Sequence, residues 1–64
     1  MNETIGSRIA RFRKANGMTQ EDLANKVFVT NKAVSKWEKG QSFPDIALFD
    51  PLAEALGVKE GSNE

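Results

Sequence analysis

The stretch "VTNKAVSKWEKG", residues 29–40, carries three lysines, an asparagine and a serine beside two valines and the chain's only tryptophan. At about 100° per residue on a helical wheel, with Asn31 at zero, Ser35, Lys32 and Lys36 fall at about 40°, 100° and 140°. Ala33, Trp37 and Val34 fall at about 200°, 240° and 300°, on the opposite side. Glu38 lies on the border between them. A solvated surface helix has no use for the tryptophan, and a core helix has no use for the lysines. The segment is therefore predicted to be a helix with two jobs: Thr30 caps its start, and Gly40 ends it.

Working outward, "MTQEDLANKV" at 18–27 places Thr19 at an N-cap and Asp22 at the third helical position, the spacing of a capping box. Leu23, Ala24 and Val27 make the apolar stripe of this short helix, which a three-residue turn joins to the next. Upstream, Ile5, Ile9 and Phe12 repeat at four and three, and "NG" at 16–17 supplies a left-handed stop, so a first helix is expected over about residues 3–15. Downstream, "QSFPD" reads as a linker. Pro44 and Asp45 open a fourth helical segment, with Ile46 and Phe49 expected to face inward. Asp50-Pro51 reads as the N-cap and first position of a new start, because proline has the right φ there and no N–H to lose. Leu52, Ala53 and Leu56 follow before Gly57, so a broken fourth helix, or a fourth and fifth in tandem, is expected. Beyond it Val58 is expected to dock, and residues 59–64 to form a flexible tail. No stretch alternates in the manner of a strand.

The 64 residues suffice for one small domain. With neither cysteine nor histidine, disulfide and thiolate-zinc staples are excluded, as are the commonest general base and metal ligand. Ser7, Ser35, Ser42 and Ser62 have no such partner for a triad, and the glycines sit singly rather than in a phosphate loop. Neither an enzyme nor a cofactor or metal site is expected. "MNETIGS" lacks the charge and apolar run of a signal peptide, and "IALF" at 46–49 is far short of the roughly 20 residues that span a bilayer. A cytoplasmic protein without membrane contact is expected.

Nine basic and nine acidic residues cancel. Their distribution is uneven: from Arg8 to Lys39 the balance is +5, and the remaining residues restore zero. Local field, not net charge, governs a groove-binding surface. The polar face of residues 31–38 has a bland reading, an amphipathic helix whose outer face is merely wet. Three features favour more. The helix is roughly 13 Å long and fits a major groove about 12 Å wide. It follows a capped helix through a short turn. Its outward groups are an amide, a hydroxyl and two ammoniums, all donors suited to nucleic acid.

These motifs, in order "RKANGMTQ" (13–20), "LA" (23–24), "SKWEKG" (35–40) and "PD" (44–45), resemble the phage-repressor family of bacterial regulators, Cro- and cI-like, also called the xenobiotic-response-element family. The resemblance covers about residues 5–58. It implies an all-α, compact four- to five-helix bundle of the lambda-repressor-like DNA-binding type over residues 1–58, with helices 2 and 3 forming the helix-turn-helix. It implies a transcriptional regulator that binds double-stranded DNA sequence-specifically, as a homodimer on a palindromic operator. By the same resemblance, Asn31, Lys32 and Lys36 match positions that reach base edges. Ser35 lies between them, Gln20 matches a glutamine that holds a phosphate at the positive start of helix 2, and Thr30 adds a hydroxyl. Lys39, Ser42 and Asn16 flank the site. Arg13 and Glu38 match an ion pair joining helix 1 to the end of helix 3, and Trp37 and Val34 are core.

Two departures stand out. Phe28 occupies the turn where many relatives have glycine. A kept turn gives it positive φ, at roughly 1–2 kcal/mol, so either the turn is reshaped or Phe28 buries enough surface to offset the strain; its ring could also join a dimer contact. Relatives also often continue beyond the position of Val58, so a short regulator or an excised domain is expected here. Two alternatives stay open: a helical protein–protein module anchored on Trp37, Phe28 or Phe43, and the antitoxin of a toxin–antitoxin pair.

Overall fold

The computed structural model describes residues 4–57. Over these the order is α1 (Ile5–Ala15), α2 (Gln20–Val27), α3 (Asn31–Lys39), a 3-10 turn (Ile46–Leu48) and α4 (Phe49–Leu56). The expected docking of Val58 and the 59–64 tail lie outside the described residues. No helix among the described residues is long and apolar enough to cross a membrane.

Each of the first three helices starts on a threonine. Thr4, Thr19 and Thr30 are in extended conformation and accept from the backbone N–H of Ser7, Asp22 and Ala33, each satisfying an N–H that would have no partner inside the helix. The capping box on α2 is complete, with the Asp22 carboxylate accepting from Thr19 N–H at 2.9 Å.

The apolar stripes meet in one core: Ile9 of α1, Leu23, Ala24 and Val27 of α2, Val34 and Trp37 of α3, Leu52 and Leu56 of α4. Helix α3 packs on both α1 and α2, and α4 closes the bundle against α2 and α1. Where α1 crosses α3, Gly6 lies so close to the Trp37 carbonyl that a β-carbon there would overlap its oxygen. Two interlocks fasten the helices. Asn16 donates from its amide to the Phe12 and Leu56 carbonyls, both at 2.8 Å, tying the ends of α1 and α4. Arg13 grips Glu38 in bidentate fashion, Nε to Oε2 at 2.7 Å and Nη2 to Oε1 at 3.1 Å, while Nη1 donates to the Met18 carbonyl at 2.8 Å. Both side chains are about nine-tenths buried, so removing either partner would strand the other charge at a cost of about 3–5 kcal/mol.

Three expectations need correction. Ile46 and Phe49 do not point inward: they are 78% and 46% exposed, because the face of the last segment that meets the core is made by Leu52 and Leu56, with Leu48 and Ala55 packed beside them. The break in that segment is not at Asp50-Pro51. Asp45 caps the 3-10 turn through Ala47 N–H, and α4 begins at Phe49 with no side-chain cap on Leu48. Pro51 is thus the third residue of the helix, still in the first turn, where an N–H would have no intrahelical partner. The turn at Phe28 is neither reshaped nor offset. Its φ is 61°, the one positive value among the described non-glycine residues, and its side chain is 91% exposed.

Candidate nucleic-acid interface

The outer face of α3 is built by the same helix that carries the core. With Val34 and Trp37 fully or almost fully buried, the wheel forces Asn31, Lys32, Lys36 and Lys39 outward, and all four are exposed. Ser35 is half-buried between them. Together with Gln20 from the start of α2 and Gln41 just after Gly40, these five residues line a shallow surface groove. Six of the seven sequence-predicted contact residues therefore gather in one place. Thr30 does not line it. It is exposed at the rim, with its hydroxyl engaged as the α3 cap at 3.1 Å from Ala33 N–H.

Gln41 was missed by sequence reasoning. Its N–H closes onto the Lys36 carbonyl at 2.9 Å, part of the left-handed turn at Gly40 (φ 77°) that folds the chain back beside α3. The "KG" helix end signals that turn, but not where the next side chain lands. Asn16, a weaker flanking candidate, is committed to the Phe12 and Leu56 carbonyls and does not line the groove.

Gln20 holds the less expected position. Its Nε2 donates at 2.9 Å to Glu38 Oε1, the same oxygen that accepts from Arg13 Nη2. Burial of Glu38 opposes ionisation. The hydrogen bonds from Arg13 and Gln20, and the positive charges of Arg13 and Lys14, outweigh it and hold the carboxyl below the usual glutamate value. The positive end of α2 is also partly spoken for, since Glu21 and Asp22 stand in its first turn. Bonds to the Thr19 backbone and hydroxyl hold Asp22 below its ordinary value as well.

This arrangement, a capped helix, a left-handed turn and a second helix with a bare polar face, is matched by the model of the family described as helix-turn-helix over residues 9–62. The chain belongs to the helix-turn-helix family. It is 34% identical over 58 residues to the HTH-type transcriptional regulator y4dJ of Sinorhizobium fredii, covering 91% of this chain and 75% of that one. It is 32% identical over 59 residues to multiprotein-bridging factor 1 of Eremothecium gossypii, covering 92% of this chain but 39% of that protein. Among solved structures, the P22 c2 repressor bound to a synthetic operator superposes with a TM-score of 0.85 at 31% identity, covering 91% of this chain and 88% of the other. Within this helix-turn-helix, α2 and α3 are the two helices, Phe28 to Thr30 form the turn, and DNA-binding transcriptional regulation is the class of function.

Proposed function

We propose that α3 is the recognition helix and reads the major groove sequence-specifically. Asn31 would bridge adenine N6 and N7, and Lys32 and Lys36 would donate to guanine O6 and N7. Ser35 would touch a base or phosphate between them. Gln20, Thr30 and Lys39 would fix the pose on backbone phosphates, which carry register but not sequence. One observation carries this reading. The donors of α3 lie exposed along a single groove that the buried tryptophan on the helix's other face holds rigidly outward. The resemblance to an operator-bound repressor over nine-tenths of the chain supports it. A binding role without chemistry of its own agrees with the lack of histidine and cysteine.

We further propose that two copies bind a palindromic operator with half-sites about one helical turn apart, roughly 34 Å. Selection of bound sites from a random duplex pool tests both claims. A symmetric pair of short motifs at that spacing is expected; recovery of no motif would overturn the reading.

A second reading has a specific observation behind it. Phe28, Phe43 and Ile46 are large, apolar and largely exposed, as anchors for a protein partner would be. Salt separates the two readings. Groove binding should weaken steeply between 50 and 200 mM salt, values in the usual range for displacing counterions, whereas an apolar protein contact should barely change.

A further inference from the structure

We propose that Glu38, clamped by Arg13, is a positioning residue for DNA binding: it fixes the Gln20 side-chain amide, and with it the pose in which Gln20 meets a backbone phosphate. The inference rests on the reading of the α3 face as a DNA-reading surface.

The chemistry of the trio is one-directional. An ionised carboxylate is acceptor-only, so only the NH2 end of Gln20 can face Glu38, and the observed 2.9 Å contact from Nε2 satisfies that requirement. The carbonyl end of Gln20 must turn away from Glu38, and one N–H is left to offer a phosphate oxygen. Glu38 is itself held through both of its oxygens. Its Oε2 accepts from Arg13 Nε at 2.7 Å, and its Oε1 accepts from both Arg13 Nη2 and Gln20. Arg13 in turn is pinned to the Met18 carbonyl, in the loop that leads into α2. A chain of four hydrogen bonds therefore runs from the α1 scaffold to a side chain on the rim of the groove. Gln20 is a long, flexible residue that would otherwise lose rotamer freedom when DNA arrives. Holding it beforehand removes that cost from binding, the advantage of any preorganised contact. The ion pair is thus more than scaffold. It reaches the binding face through a neutral amide.

A binding cycle on the whole chain tests this, using a duplex selected by the wild type and fluorescence anisotropy at pH 7, below the melting temperature of every variant. Gln20→Ala is expected to weaken binding about tenfold, the usual loss for one hydrogen bond to a charged group. Glu38→Gln puts an NH2 group among donors and should misdirect Gln20, giving a loss of similar size. In the Gln20→Ala background, Glu38→Gln should then cost almost nothing further. If the two losses multiply, or Glu38→Gln binds as well as wild type, the positioning role is overturned and only the structural one remains. Should Glu38→Gln not fold, Glu38→Asp keeps the charge opposite Arg13 while withdrawing the carboxylate by one methylene, and the same cycle with the same two outcomes decides. A wild-type chain without sequence-selective binding overturns the DNA reading itself, and this inference with it.

Discussion

The two faces of α3 make opposite use of one helix. The inner face is closed: Val34 and Trp37 are sealed in the core, and Gly6 of α1 comes close enough to leave no room for a β-carbon. The outer face is open: four exposed polar side chains surround a half-buried serine along the groove. Stability and recognition are therefore separable within nine residues. Substitutions on one face should change the folding equilibrium, and substitutions on the other should change only affinity. Glu38 sits at the border between the faces and is the place where the separation is incomplete.

The largest effect should come from the closed face. Trp37→Ala should cost about 3–5 kcal/mol, most of the margin available to so small a domain. Loss of the helical circular dichroism signal near room temperature is the expected readout, and a cooperative transition close to wild type would refute the closed-face assignment. At the border, Arg13→Ala or Glu38→Ala should each cost about 3 kcal/mol, with the double variant little worse than either; additive losses in urea titrations would show that the pair is not coupled.

The same pair predicts acid sensitivity. Glu38 ionises more readily in the folded chain than its ordinary value of 4.5, so its contribution is complete above that value. It is lost as the pH falls through 4.5 towards the lower folded value. Melting curves should show the loss, and Glu38→Gln should remove it, leaving the dependence from Asp22, which is depressed in the same direction.

On the open face, Lys36→Glu should leave stability within about 1 kcal/mol while reducing operator affinity about 100-fold through a lost base contact and a reversed charge. Unchanged affinity would break the division of labour outright. The smallest effect belongs to neither face. Phe28→Gly removes strain at a left-handed position from a side chain that buries almost nothing, so it should stabilise by about 1 kcal/mol. In a domain of this size that raises Tm by roughly 4–8 °C. No gain in Tm would mean that the phenyl ring has a contact worth keeping.

Much of this was legible before any coordinates. The caps at Thr19 and Thr30, the capping box, the stops at Gly17 and Gly40 and the two-faced wheel of α3 are all local patterns, written within four residues of where they act. The left-handed Phe28 was foreseeable from its place in the turn, but its exposure was not. Exposure depends on whether another element covers the ring, and none of the described elements does. Ile46 and Phe49 misled for the same reason. Apolar spacing shows which residues share a face, but not whether that face meets anything.

Sequence alone determined the helical segments, the bounds of α2 and α3, the polarity of α3 and the family to which these belong, because helix formation and capping are settled largely by neighbours along the chain. The tertiary structure alone decided that Gln20 leans on Glu38, that Gln41 joins the groove, that Asn16 serves the Leu56 carbonyl and that Gly6 admits Trp37. Each of these contacts either spans many residues of chain or depends on the path of a turn. Their geometry exists only once the core has fixed how the helices cross.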